Sequence, residues 1–268
     1  MTEQPVRSAI RVSRETPVAT VELARGPNNL LGVRMLTELA DAFEDLASDS
    51  ACRAIVLCAE GKHFCAGMNL AAEEVVTTDR AAEPRRPPEA GSPLYAQAIR
   101  LFSAPLPVVA AIQGAAIGGG LGLALVADFR IAACDARLAA NFTRLGLHHG
   151  FGLTETLPRL VGAQLAARML YTGEEISGTR AAEIGLCDEA VPSSGLRARA
   201  HELATVIAGP APLAVRSVRA TLRRELLAAL PAALDREHAE QVRLSRTRDA
   251  REGIKAARER RPPVFSGE

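Results

Sequence analysis

Residues 108–127 read VVAAIQGAAIGGGLGLALVA, and the architecture of the chain follows from this stretch. It carries no charged side chain, and Gln113 is its one strongly polar residue. Its length would suit a membrane span. Glycines at positions 114, 118, 119, 120 and 122 interrupt it, however, so we interpret it as buried core. The pattern predicts a strand over Val108–Ile112, a glycine-rich turn and the start of a helix.

Short apolar runs on either side of this stretch predict further buried strands. Phe129–Ala133 follows it, and Val18–Leu23 and Ala54–Leu57 precede it. Between the latter two, Val33–Ala47 repeats apolar residues at helical spacing, which predicts an amphipathic helix. Strands that alternate with helices in this way indicate an α/β layered architecture.

After about Phe151 the pattern becomes helical and the strand signals fade. The predicted helices are Ala198–Ala208, Ala214–Leu230, Pro231–Arg248 and a basic segment that stops at Pro262 and Pro263. We therefore divide the chain into an α/β core over residues 1–195 and a helical segment over residues 196–268. A polar, proline-containing stretch over residues 71–92 is predicted to be a loop.

Composition and charge exclude several classes of protein. The 32 Lys+Arg and 31 Asp+Glu residues leave a net charge of +1, so no excess of positive charge is present for a nucleic-acid partner. The 268 residues are 48% hydrophobic, which is ample for a buried core. Five cysteines without metal-ligand spacing are typical of free thiols in a reducing compartment. Because no apolar leader begins the chain, we expect a cytoplasmic protein with no membrane partner and no metal.

Two small-residue turns carry the chemistry, and each follows a predicted strand. One is GKHFCAGMNL over residues 61–70, and the other is QGAAIGGGLGLA over residues 113–124. Neither completes a dinucleotide, P-loop, serine-hydrolase or zinc-protease motif. Small residues at a helix start leave backbone N–H groups uncovered, and two such groups can stabilise one developing oxyanion. The alternative is that the glycines only permit close packing.

The pair FCAGMNL (64–70) and AAIQGAAIGGGLGLALVADFRIA (110–132) resembles the crotonase, or enoyl-CoA hydratase/isomerase, superfamily. The likeness covers essentially the whole chain and continues through residues 150–162, 170–177, 181–192 and 251–256. It implies a ClpP/crotonase-like spiral of β-β-α units. It also implies a lyase or isomerase of fatty acid metabolism that acts on an acyl-CoA thioester, with no cofactor besides the coenzyme A of the substrate.

The resemblance also implies an assembly, a homotrimer or a dimer of trimers held by the helical C-terminal segment. The sequence offers a physical reason for it. The helical segment carries an apolar face too large to stand free, formed by Leu222, Leu226, Leu227, Leu230 and Leu234.

By the same resemblance, the backbone N–H groups of Met68 and Gly119 form the oxyanion hole, where they polarise the thioester carbonyl and stabilise an enolate-like state. The residues expected to bind the rest of the substrate are Ala66, Gly67, Leu70, Gly120, Phe142 and Arg260. Arg260 is the position implied to lie near the coenzyme A phosphates.

Two residues depart from the family pattern. Relatives that hydrate enoyl-CoA hold one water between two glutamates, because one carboxylate must take a proton from water while the other helps deliver one to carbon. At the matching positions this chain has Gly122 and Phe142, and neither can transfer a proton. We therefore expect ordinary hydration to be slow or absent.

The adjacent His148 and His149 are the candidate replacements, because an imidazole with a pKa near 6.5 is a suitable acid–base group at neutral pH. The alternative is that the pair only fills the entry to the next helix. We expect Glu155 to be structural, His63 to face solvent and Cys65 to be a small buried residue rather than a nucleophile.

Two functions from different classes remain at this point. One is an enzyme that processes an acyl-CoA, including a decarboxylase or hydrolase that uses His148 or His149. The other is a catalytically silent acyl-CoA-binding protein that keeps the oxyanion hole. Histidines that face the thioester would favour the enzyme, and histidines that cap a surface helix would favour the binding protein.

Overall fold

The computed structural model describes residues 8–68 and 92–268. The strands are β1 (Ile10–Glu15), β2 (Val18–Leu23), β3 (Ala54–Ala59), β4 (Val108–Ile112), β5 (Ala115–Ile117), β6 (Phe129–Ala133), β7 (Arg137–Ala139), β8 (Ile176–Ser177) and β9 (Glu189–Val191). Six of them form one sheet in the order β1-β2-β3-β4-β6-β9, in which only the β1–β2 pair is antiparallel. A second, three-stranded sheet has the order β5-β7-β8.

The helices are α1 (Val33–Ser48), α2 (Pro93–Ser103), α3 (Gly119–Ala124), α4 (Leu153–Val161), α5 (Ala163–Thr172), α6 (Gly178–Glu183), α7 (Leu196–Ala208), α8 (Pro212–Leu244) and α9 (Arg248–Glu259). Helix α7 covers β3, β4 and β6 on one face of the large sheet, while α1 and α2 pack against each other. Among the described residues, no helix is long and apolar enough to cross a membrane.

The central strands and the first helix confirm the sequence predictions. Strands β2, β4 and β6 have the predicted bounds, and β3 extends two residues beyond the predicted Leu57. All side chains of β3 and β4 are buried, which explains their continuous apolar runs. The stretch 108–127 is buried almost throughout, as its composition predicted.

Two predictions about the rest of the chain were wrong. Strand signals do not end at Phe151, because β8 and β9 follow it; their two and three residues are too short to show a period. The predicted break at Pro231 is also absent, since α8 runs unbroken from Pro212 to Leu244. Pro231 is exposed, so water can satisfy the Leu227 carbonyl that loses its N–H partner.

Helix α8 is fixed to the sheet by a buried ion cluster. Arg219 Nε donates to Asp128 Oδ2 (2.8 Å) and Arg223 Nη1 donates to Asp128 Oδ1 (2.7 Å). The carboxylate of Asp128 also accepts the N–H of Val108 at the start of β4 (2.9 Å). These contacts hold the first half of α8 against β4. Helix α8 also packs against α4 and α2.

Candidate active site

The two small-residue turns lie against each other. Cys65 pairs with Ala116 in an isolated parallel bridge: Cys65 N–H donates to Ala115 O (2.9 Å), and Ile117 N–H donates to Cys65 O (3.0 Å). His63 adds a side-chain link, because its Nδ1 accepts the N–H of Ala115 (3.1 Å). His63 is thus partly exposed, with one ring nitrogen held by the backbone, and burial lowers the pKa of this ring.

Glycines allow this close approach. A methyl group on Gly120 would lie 2.1 Å from Cys65 O, a distance that no real side chain tolerates. Gly67 has φ +96°, a conformation that disfavours other residues, and its missing side chain would lie 3.0 Å from Ile117 O. Both backbones would have to separate if either residue gained a side chain.

The same contacts bring Met68 and Gly119 into one neighbourhood. Leu31 N–H donates to Gly67 O (2.9 Å), and Leu31 Cδ1 lies 2.6 Å from where a methyl group on Gly119 would be. Gly119 is the first residue of α3, so its N–H has no partner within the helix. Within residues 8–68 and 92–268, no acceptor takes the N–H of either Met68 or Gly119.

Aromatic rings occupy the space next to the two positions that lack glutamate. Phe151 Cβ lies 2.6 Å from where a methyl group on Gly122 would be, so the side chain of Phe151 fills the place of any residue-122 side chain. Phe151 is buried and has φ +62°, unusual for a bulky residue. The Phe142 ring lies 3.6 Å from the missing side chain of Gly118, beside the start of α3. Asn141 Oδ1 lies 3.3 Å from the same point, so this flank of α3 combines two aromatic rings with one amide oxygen.

The histidine pair lies at the entry of α4. The His148 and His149 rings stack with centroids 4.1 Å apart, and His148 Nδ1 donates to His149 O (2.7 Å). His149 Nε2 lies 2.9 Å from Thr154 Oγ1 and 4.0 Å from Glu237 Oε1. Burial, reinforced by the neighbouring His148, lowers the pKa of His149 to about 4. The expected value near 6.5 was wrong, because the ring is largely removed from water.

Glu237 of α8 also belongs to this region, although it is not among the residues predicted from the sequence. Its carboxylate accepts hydrogen bonds from the N–H of Gly152 (2.8 Å), the N–H of Thr154 (2.9 Å) and the hydroxyl of Thr154 (2.6 Å). Burial raises the pKa of Glu237 against the lowering effect of these bonds. A signal was present: Leu230, Ala233 and Leu234 precede it at helical spacing, which places position 237 on the apolar face.

Tyr95 and Gln241 extend this polar cluster. The Tyr95 hydroxyl donates to Gln241 Oε1 (2.7 Å), and Gln241 Nε2 donates to His148 O (3.1 Å). Burial raises the pKa of Tyr95, so the phenol stays protonated. Gly150 is required here, since a methyl group on it would lie 2.1 Å from the Tyr95 oxygen.

The other predicted site residues lie at different places. Ala66 is half-buried beside Gly67, while Leu70 lies outside the described residues. Arg260 is exposed at the end of α9 with φ +55°, and its guanidinium makes no ion pair with any described carboxylate. The neighbouring Arg261, by contrast, is paired with Glu252 and Glu259. Glu155 pairs with Arg159 one turn on in α4, as expected of a structural residue.

Comparison with known proteins shows similarity to one family over nearly the whole chain. The family model described as enoyl-CoA hydratase/isomerase matches residues 13–268. A probable enoyl-CoA hydratase of Rhodobacter capsulatus is 40% identical over 89% of this chain and 90% of that protein. The 2,3-dehydroadipyl-CoA hydratase of Escherichia coli is 34% identical over 97% of this chain and 99% of its own length.

Solved structures give the same result for the fold. An enoyl-CoA hydratase/isomerase from Pseudoalteromonas atlantica superposes with a TM-score of 0.83 at 26% identity, covering 96% of this chain and 100% of the other. A probable enoyl-CoA hydratase/isomerase from Mycobacterium abscessus is 33% identical with a TM-score of 0.72, covering 97% and 99% of the two chains. The α/β architecture with its helical C-terminal segment is thus the crotonase fold.

Proposed function

The chain belongs to the enoyl-CoA hydratase/isomerase family, and on that premise we propose that it binds an acyl-CoA thioester at the meeting point of its two small-residue turns. The backbone N–H groups of Met68 and Gly119 would both donate to the thioester carbonyl oxygen. One observation carries the proposal: these two N–H groups lie on adjoining turns and have no acceptor among the described residues. Donors held in advance where negative charge develops can stabilise an enolate.

The chemistry proposed for this site is not the addition of water between two carboxylates. Gly122 and Phe142 cannot transfer protons, and Phe151 excludes any side chain from position 122. The acid–base group we propose is His149, which lies close in sequence to Phe151 and is largely neutral at pH 7 because burial lowers its pKa. A lyase or isomerase that removes and returns a proton at carbon fits this arrangement better than a hydratase does.

The remainder of the site would hold coenzyme A. Ala66, Gly67 and Gly120 build the backbone wall beside the oxyanion position. Arg260, which has no ion pair with a carboxylate of residues 8–68 or 92–268, offers a cation for a phosphate. No cofactor beyond the coenzyme A of the substrate enters this proposal.

A silent acyl-CoA-binding protein is the second candidate, and one observation favours it. His149 Nε2 is engaged by Thr154 at the start of α4, which is what a residue that merely fills a helix entry would do. The two candidates differ in whether the protein exchanges the hydrogens on the α-carbon of a bound acyl-CoA.

We expect butyryl-CoA to bind in isothermal titration calorimetry, while crotonyl-CoA is hydrated slowly or not at all. The hydration of crotonyl-CoA is measured by the loss of absorbance of the enoyl thioester. Absence of butyryl-CoA binding would overturn the proposed function. Hydration at the rate of an ordinary enzyme, about 1–10³ per second, would overturn the interpretation of Gly122 and Phe142.

The oligomer proposed from the resemblance rests on a smaller apolar surface than the sequence suggested. Leu230 and Leu234 are buried within the chain itself, and only Leu222 of the predicted face is fully exposed. Leu213 and Val218 are exposed on the same half of α8. We propose that this half of α8 contacts a neighbouring subunit in a trimer or a dimer of trimers. A monomer in light scattering at micromolar concentration would contradict it.

A further inference from the structure

A buried carboxylate, a hydroxyl and an imidazole follow one another at the entry of α4. Glu237 has no exposed surface, and its Oε1 accepts the hydroxyl of Thr154 at 2.6 Å. The oxygen of that hydroxyl lies 2.9 Å from His149 Nε2. Gly152 and Thr154 also donate their backbone N–H groups to Glu237, so its carboxylate is held at both oxygens. The direct separation between His149 Nε2 and Glu237 is 4.0 Å, so the connection runs through Thr154.

The directions of these hydrogen bonds follow from the number of protons available. A threonine hydroxyl has one proton, and Thr154 gives it to the carboxylate of Glu237. The hydroxyl oxygen can then only accept at its contact with His149, so the proton of that bond belongs to His149 Nε2. In a neutral imidazole the other nitrogen is unprotonated. Nδ1 is therefore the basic atom of His149.

His148 has the opposite tautomer for a similar reason. Its Nδ1 lies 2.7 Å from the carbonyl oxygen of His149, and a carbonyl can only accept. Two adjacent and stacked histidines thus present different nitrogens as their free acceptors. Only His149 is connected to a buried carboxylate in this way.

We propose that Glu237 is a positioning residue that acts through the Thr154 hydroxyl to hold His149 as its Nε2–H tautomer, with Nδ1 as the proton acceptor of the site. This inference rests on the proposed function, because it takes His149 as the acid–base group. The step it serves is proton removal from the α-carbon of an acyl-CoA. The C–H bond breaks, its electron pair forms a double bond between the α-carbon and the carbonyl carbon, and the π pair of the carbonyl moves onto the oxygen to give the enolate. The proton forms an N–H bond at Nδ1, which converts His149 to the imidazolium cation. The reverse step returns a proton from the same nitrogen, after exchange with solvent.

Three variants separate the relay from a structural role of the same residues. Thr154→Val keeps the size of the side chain and removes the hydroxyl, whereas Thr154→Ser keeps the hydroxyl. Thr156→Val is the control from the same helix: Thr156 is buried where Thr154 is exposed, and its hydroxyl donates to Gly152 O instead (2.9 Å). Circular dichroism checks that each variant folds.

The first measurement is the tautomer of His149 in isotope-labelled protein, read from nitrogen NMR, with His149→Ala to assign the signal. We expect Nε2 to be protonated in the wild type, in Thr154→Ser and in Thr156→Val, and a substantial Nδ1–H population to appear in Thr154→Val. The relay is overturned by a protonated Nδ1 in the wild type. It is equally overturned if Thr154→Val leaves the tautomer unchanged or if Thr156→Val alters it as much.

The second measurement is the exchange of the α-hydrogens of butyryl-CoA in deuterated water, together with the affinity for butyryl-CoA. We expect His149→Ala to slow exchange by about 10²-fold or more and Thr154→Val by about 10-fold or more, with affinity nearly unchanged and recovery in Thr154→Ser.

These readings keep the two proposals apart. Binding with exchange that Thr154→Val does not slow overturns the relay and leaves the proposed function standing. Binding without exchange in the wild type overturns the role of His149 as proton acceptor and supports the silent binding protein. Absence of binding overturns the proposed function itself, while the tautomer of His149 still reports on the relay.

Discussion

The region around Gly119 and the region around His149 are held together by different kinds of contact. Around Gly119, most features come from the backbone: two N–H groups, the close approach of Gly120 to Cys65 O and of Gly67 to Ile117 O, and a strand-like bridge between Cys65 and Ala116. Around His149, each main contact involves at least one side chain of α4, α8 or the residues between β7 and α4, and Glu237 also accepts the backbone N–H groups of Gly152 and Thr154. The region around Gly119, here called the backbone half, depends on glycines that have no side chain. A substitution there disrupts the contacts by adding atoms. The region around His149, here called the side-chain half, depends on which atoms carry the protons of its hydrogen bonds. A substitution of equal size can therefore disrupt it.

The backbone half should give the largest effect. Gly119→Pro deletes an N–H at the first position of a helix, where proline is tolerated. Gly119→Ala adds a comparable carbon but keeps the N–H, and the atom it meets is the flexible end of Leu31. We expect α-hydrogen exchange of butyryl-CoA to fall by about 10²–10³-fold in Gly119→Pro and far less in Gly119→Ala. Equal losses in the two variants would show that space, not the donor, matters at this position.

The next test adds the missing acids. Gly122→Glu with Phe142→Glu should fail to create a hydratase, because Phe151 Cβ lies 2.6 Å from the new Cβ at position 122. Phe151→Ala would keep that atom, whereas Phe151→Gly removes it and suits the positive φ of this residue. We therefore expect measurable crotonyl-CoA hydration only when Phe151→Gly accompanies the two glutamates. Phe151→Gly alone is the control. Activity in the double variant would contradict the blocking role of Phe151.

The side-chain half should be costly to disturb even when its shape is kept. In Glu237→Gln the amide NH2 group replaces one carboxylate oxygen. It then faces a backbone N–H, of Gly152 or of Thr154, that donates a hydrogen bond to this oxygen in the wild type. We expect the free energy of unfolding to fall by about 1–3 kcal/mol in chemical denaturation. Glu225→Gln, on an exposed position of the same helix, should change it by less than about 0.5 kcal/mol. Similar changes in the free energy of unfolding for the two variants would show that the hydrogen bonds of Glu237 do not stabilise the fold.

The pH dependence distinguishes a buried imidazole from an exposed one. Because burial lowers the pKa of His149 to about 4, the neutral, proton-accepting form is already complete at neutral pH. The rate of α-hydrogen exchange should therefore rise as the pH rises through about 4 and stay level near pH 7. Stability follows the same sign: the unfolded chain binds this proton more readily, so stability is lost as the pH falls from about 6.5 towards 4. An inflection of the rate near pH 6.5 would contradict the burial of His149.

The smallest effect is expected at the edge of the site. Arg260→Asn removes an exposed cation and keeps a residue that accepts the left-handed conformation at the end of α9. We expect the dissociation constant of butyryl-CoA to rise about two- to five-fold, as for an exposed charge pair. The ester of coenzyme A that lacks the 3′-phosphate should bind both proteins alike if Arg260 meets that phosphate. If Arg260→Asn weakens the binding of this ester as much as it weakens the binding of butyryl-CoA, contact between Arg260 and the 3′-phosphate is excluded.

The sequence predicted the elements around Gly119 better than the contacts around His149. The glycines at 118–120 and the buried runs of β3 and β4 are local features, and their elements lie where the pattern predicted them. Glu237 could not be brought to Thr154 from sequence, because 83 residues separate them and only the path of α8 joins them. The pKa of His149 was mispredicted for the same reason, since its burial depends on distant elements.

Phe151 also limits how this chain can change over evolutionary time. A glutamate at position 122 has no room while residue 151 keeps a Cβ atom, so that substitution is harmful if it comes first. A glycine at position 151 fits the backbone but empties a buried volume that the Phe151 ring now fills, and it gives no acid by itself. Each step is a loss without the other, and the order of mutations matters. A two-glutamate site is thus closed to this chain by single substitutions, because residues 122 and 151 have to change together.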